Sequence, residues 1–268
     1  MSPRPAQRRR FGLSDALLLG TAAVVLAATA AALLHLDVPW LTAILSPRWI
    51  VYTATAAMVL VVLAAFAAFE EGRASAHEVA VVAVLSAASI ALRVAFAALP
   101  SVQPSTFIIL AAGVVYGPRA GFMVGALTAL VSNLFLGQGL WTPFQMFAWG
   151  AAGACGGLVG SMRPGVGRWG LAALGLAWGF IFGWITNLSQ FFFVEVSWRG
   201  FALVYGMSVP FDAVHAASNV AFALLFAPEV LWVLRRYRRR FEVTYVGEGS
   251  RAPTPSLPPP AAPRDDGG

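Results

Sequence analysis

The stretch STFIILAAGVVYGPRAGFMVGALTALVSNLFL, residues 105–136, decides the fold class. It carries a single charged residue, Arg119, and it is interrupted by Gly117-Pro118. A glycine followed by proline ends one helix and opens another. The reading is therefore two apolar helices, at 105–116 and 119–136. A helical crossing takes roughly 20 apolar residues, so the first is short and the pair forms a broken or tilted hairpin in a membrane.

The same texture extends outward. Further helices are predicted at 14–35, 49–69, 77–98, 142–162, 169–193 and 209–235, which makes an all-α, polytopic membrane bundle. Composition agrees: 59% of the chain is apolar and only 11% charged, against about 25% charged in soluble domains. The net charge of +6 comes from arginine, since the 268 residues include no lysine. The arginines gather at span ends, which excludes nucleic acid as a partner and points to the lipid bilayer. The lone Cys155 forms no intrachain disulfide. His35, His77 and His215 lie far apart in this topology, so no metal site is expected.

Arginine placement sets the orientation. Arg4, Arg8, Arg9 and Arg10 precede the first span, Arg235 to Arg240 follow the last, and Arg73, Arg119, Arg163 and Arg168 occupy loops on the same side. Only Arg48 and Arg199 flank the other side. The positive-inside rule puts both termini in the cytoplasm of a multi-pass protein of the cell membrane. The chain then divides into a basic N-terminus (1–12), an accessory two-span hairpin (13–73), a six-span core (74–240) and a disordered Pro-rich tail (241–268). The hairpin has no polar group at its centre.

With that orientation, the intramembrane polar residues of the core share the outer half of the bilayer. Polar groups in hydrocarbon cost several kcal/mol unless paired or solvated, so their convergence predicts a pocket open to the outside. Pro210 suits the first turn of the last helix, and Asp212, His215 and Asn219 follow on one face at i, i+3 and i+7. Arg93 lies at the depth of Asp212, either as its ion-pair partner or as a solute contact. Thr142 is placed to cap the next candidate helix. Trp141, Gln145 and Trp149 then share a face, an amide between two ring platforms. Asn133, Asn187 and Gln190 complete the set, with helix–helix hydrogen bonding as the alternative use of the last two.

Small residues form stripes. Ala83, Ala87, Ala91 and Ala95 repeat every four residues, as do Gly121/Gly125, Gly156/Gly160 and Gly175/Gly179/Gly183. Such stripes let helices approach closely. Packing inside the bundle is the usual use, and docking of another membrane subunit is the alternative for the alanines. Enzyme motifs are missing or out of context: Gly165-x-Gly167-x-x-Gly170 lies between apolar spans without a preceding strand, and no Walker A, H-E-x-x-H or G-x-S-x-G occurs.

Taken in order, these elements resemble the substrate-binding S component of energy-coupling-factor (ECF) type ABC transporters. The resemblance is carried by the alanine stripe, the Gly113–Gly125 hairpin, Trp141-Thr142-Pro143-Phe144-Gln145 and the Asp212/His215/Asn219 face. It implies a non-catalytic subunit with no intrinsic cofactor, which binds a vitamin-like solute as cargo. It also implies a T subunit docked on the alanines and two cytoplasmic ATPase subunits. Cobalamin is one cargo compatible with a large pocket of aromatic and amide groups. A membrane enzyme acting on a lipid through Asp212 and His215, or a structural scaffold, are the competing classes.

Overall fold

The computed structural model describes residues 13–14, 16–17, 20–21, 50–72 and 74–240. The N-terminus at 1–12, most of the expected first span at 14–35 and the tail at 241–268 lie outside the described residues. Among the described residues all regular structure is helical, as expected of a polytopic membrane bundle.

Helix α1 (Ile50–Glu71) precedes a six-helix core: α2 (Ala76–Ala95), α3 (Ser105–Tyr116), α4 (Pro118–Leu136), α5 (Thr142–Met162), α6 (Arg168–Asn187) and α7 (Trp198–Arg240). A 3-10 turn, Leu188–Phe192, extends α6. Helices α1, α2, α4, α6 with its turn, and α7 are long and apolar enough to cross a membrane. The start of α2 is set by Ser75, whose side chain accepts the Glu78 N–H at 3.1 Å, and by Glu78 in the first turn, favourable at the positive end of a helix.

Glycine organises the centre. Gly117 (φ +93°) ends α3, and Pro118 opens α4 one residue later. This turn aims Gly113 and Gly121 at the same point of α5, where a side chain on either would meet the Gly153 backbone. Gly125 lies against Trp149 and Gly150, and Gly160 against Val114. Farther along, Gly175, Gly179 and Gly183 of α6 lie against Asn219, Ala216 and Asp212 of α7. The glycine stripes thus pack inside the bundle. Helix α3 sits at the middle, with Ile109, Leu110, Ala111 and Ala112 fully buried.

The last helix differs from its sequence reading. It does not start near 209: it runs unbroken through 43 residues from Trp198, and Pro210 and Pro228 both lie inside it. An internal proline removes a backbone hydrogen bond, but neighbouring helices and local adjustment make it tolerable in membrane helices.

Helix α1 packs on the outside of the core. Val62 meets Phe122 and Ala126, flanked by Phe66, Met146 and Phe147. Arg119 donates to the Phe69 carbonyl, and its guanidinium lies 4.9 Å from the Phe69 ring centre. At the helix's other end Tyr52 meets Phe192 edge-on at 5.2 Å. These contacts are packing, one hydrogen bond to a carbonyl and cation–π. A chain starting at Ala74 is therefore expected to insert and keep its solute affinity, with a lowered thermal midpoint, roughly 2–4 °C for each kcal/mol lost. Binding and melting measured on the shortened protein in lipid discs check this. A folded core without affinity would make α1 or the segment before it part of the pocket.

Candidate functional site

The ends of α2, α4 and α6 meet the beginnings of α3 and α5 and the middle of α7 at one end of the bundle. Arg93 occupies the last turn of α2, on the face that carries Val82, Ser86 and Ser89 inward. It is 6% exposed. Its Nη1 donates to Ser132 Oγ and, at 2.7 Å, to Asn133 Oδ1. Its guanidinium lies 4.7 Å from the Trp149 ring centre. Asn133 Nδ2 donates in turn to Thr142 Oγ1 at 3.0 Å and to Gln145 Oε1 at 2.8 Å. Thr142 does not cap α5. It is the helix's first residue, and its hydroxyl donates to Gln138 Oε1 at 2.8 Å. This network ties α2, α4 and α5 together. Among the described residues no ion pair joins Arg93 to Asp212; the cation is held by neutral acceptors and a ring face.

Trp149 carries the connection onward. It is fully buried, stacks on Phe182 at 4.6 Å, and its Nε1 donates to Thr106 Oγ1 at 2.9 Å. Thr106 Oγ1 lies 2.9 Å from His215 Nε2. An indole nitrogen only donates, so the Thr106 oxygen accepts from Trp149. The same oxygen shares a hydrogen bond with His215 Nε2 in which either group can donate.

His215 also lines a cavity of about 230 Å³. Ser101 and Gln103 of the α2–α3 connection form one wall. Phe182, Gly183, Thr186 and Asn187 of α6 form the second, and Ser208, Phe211 and Asp212 of α7 the third. Asp212 reaches the wall because Gly183 opposite has no side chain: a Cβ there would collide with the carboxylate. Ser208 Oγ donates to Asp212 Oδ2 at 2.9 Å. Asn187 Nδ2 is buried without a hydrogen-bond partner. An unmade buried hydrogen bond costs about 1–3 kcal/mol.

Of the ten residues singled out by sequence, Asn187, Asp212 and His215 line this cavity. Arg93, Asn133, Gln145 and Trp149 form the network beside it. Asn219, fully buried, donates from Nδ2 to the Gly175 carbonyl at 3.1 Å and joins α6 to α7. Gln190 is exposed on the turn after α6. Trp141 is 39% exposed and covers Gly139, so it does not form a platform with the buried Trp149. The sequence reading passed over Ser101, Gln103, Thr106, Thr186 and Ser208. Hydroxyls and an amide at the depth of Asp212 were the available signal.

Among the described residues the alanine stripe does not pack inside the bundle. Ala83, Ala87, Ala91 and Ala95 are all exposed on α2, opposite its buried face.

Residues 73–218, just over half of the chain, match the family model of the ECF-type riboflavin transporter S component. No curated protein and no solved structure matches the chain. The match spans the polar network, the whole cavity wall and the alanine stripe, all within an all-helical membrane bundle. The chain belongs to the ECF-type riboflavin transporter S-component family, and so to the substrate-binding membrane subunits of ECF transporters.

Proposed function

We propose that this chain is the high-affinity solute-binding subunit of an ECF-type importer. It captures a vitamin-type micronutrient from the outside in the cavity between α6, α7 and the α2–α3 connection. It delivers that cargo through a T subunit driven by two separate cytoplasmic ATPases. The arginine distribution supports cytoplasmic termini, and the cavity then faces outward.

The observation that carries the reading is the cavity wall. Asp212 offers a carboxylate and His215 an imidazole, with the Asn187 amide beside them and Phe182 and Phe211 as apolar surface. A carboxylate, an imidazole and an amide around an aromatic lining suit a planar heterocycle whose edge carries carbonyl and N–H groups. A flavin ring has such an edge, and riboflavin is the solute in the family's name. At about 230 Å³ the cavity is smaller than the roughly 300–1,000 Å³ of pockets for drug-sized ligands. A fused ring system enters with modest widening. A corrinoid such as cobalamin requires the α2–α3 and α6–α7 connections to swing aside, and is the less favoured cargo.

The exposed alanines on α2 support this as the T-subunit side, because small residues permit close helix contact. The test is direct. Purified protein, without ATP, is expected to quench riboflavin fluorescence saturably, and mass spectrometry of the purified protein is expected to find one retained solute. Protein that is folded, retains no solute and binds no flavin would overturn the assignment of the cavity.

A further inference from the structure

Four side chains behind and within the cavity wall form a circuit that closes on itself. Phe182 of α6 and His215 of α7 belong to the wall. Thr106 of α3 and Trp149 of α5 are fully buried and stand outside the lining. His215 Nε2 lies 2.9 Å from Thr106 Oγ1, and that oxygen accepts the Trp149 indole N–H at 2.9 Å. Trp149 stacks on Phe182 at 4.6 Å, and Phe182 meets the His215 ring at right angles, 5.2 Å between centres. Four different helices thus contribute one member each.

Each contact removes a freedom from a wall group. An imidazole on a helix turns about two side-chain bonds, and the second of these has broad minima. Here one ring nitrogen is held by a directional hydrogen bond, and the ring itself is packed by Phe182. The junction is the Thr106 hydroxyl. It offers one proton and two lone pairs; the indole N–H engages one lone pair, and His215 shares the remaining capacity. Trp149 is in turn held by its N–H, by the Phe182 stack and by the Arg93 guanidinium 4.7 Å from its ring centre. Groups that touch a ligand are only as precise as the residues that lock their rotamers. Thr106 also follows directly on the connection that supplies Ser101 and Gln103 to the wall.

We infer that Thr106 is a positioning residue for cargo, on the reading that cargo occupies this cavity: its hydroxyl, backed by Trp149, fixes the His215 imidazole in the wall without touching the solute itself. The experiment is a double-mutant cycle read by riboflavin titration of the purified full-length protein, with thermal melts alongside. Thr106→Val keeps the shape and removes the hydroxyl. It is expected to weaken riboflavin binding roughly 2- to 12-fold, the worth of one hydrogen bond. Thr106→Ser restores a hydroxyl and is expected to recover most of that loss. In a His215→Ala background Thr106→Val is expected to cost no further affinity, because residues that act through one contact are not additive. A merely structural threonine would weaken binding equally in both backgrounds. Should Thr106→Val fail to fold, Trp149→Phe takes its place: it removes the donor to Thr106, keeps a ring beside Phe182, and its loss must likewise vanish when His215 is replaced. Equal losses in both backgrounds, or wild-type affinity in folded Thr106→Val, would overturn the role of Thr106 alone. A folded wild type that binds no riboflavin would overturn the cavity assignment and this role with it.

Discussion

Asp212→Ala is expected to weaken solute binding by about 1.5–3 kcal/mol, roughly 10- to 150-fold, because hydrogen bonds to a charged group are among the strong ones. The carboxylate is held in place from two sides. Ser208 fixes one oxygen at 2.9 Å, and Gly183 makes room for the group against α6. Ser208→Ala leaves the carboxylate in place and should cost less, about 0.5–1.5 kcal/mol, through its freer orientation. Solute titration in detergent, alongside thermal melts, separates loss of a contact from loss of the fold. A folded Asp212→Ala protein with wild-type affinity would move the cargo out of this cavity.

The second large effect lies in uptake rather than binding. Ala87→Leu with Ala91→Leu adds bulk to a face that is exposed among the described residues. The variant should fold and bind solute normally, yet lose most of its uptake in cells if the T subunit packs there. Two added side chains hold facing helices apart, and membrane helix association depends on close van der Waals contact. Binding assays on purified protein and solute uptake by whole cells are the two readouts. Normal uptake would free this face of a docking role, and a loss of binding would show that α2 transmits strain to Arg93 and its network.

Much of this architecture is legible in the sequence because lipid restricts the alternatives. Apolar runs must be helices, so the six core elements follow from hydropathy and Gly117-Pro118. The glycine periodicity announces the α3–α4–α5 and α6–α7 contacts. What the sequence does not disclose is where each helix sits along its neighbour. Asp212, His215 and Asn219 share a face as their spacing requires, yet Asn219 meets the Gly175 backbone, about a turn below the cavity. The alanine stripe shows the same limit: periodicity identifies a face but does not say whether a partner lies inside the chain or outside it. Pro210 misleads for another reason. A proline that would end a helix in water sits inside a continuous one here, where neighbouring helices supply the compensation.

The shortness of α3 has a consequence for how cargo enters. Twelve residues reach about 18 Å, against a hydrocarbon layer of roughly 30 Å. The chain before it, with Ser101 in a left-handed conformation (φ +61°), is therefore irregular backbone at membrane depth. Such backbone is stable only where protein or water satisfies its amides, and Ser101 and Gln103 face the cavity. The cavity thus opens this end of the bundle down to the level of Asp212 and His215. A polar heterocycle can travel that path by exchanging one set of hydrogen bonds for another, and never has to dissolve in the bilayer it is about to cross.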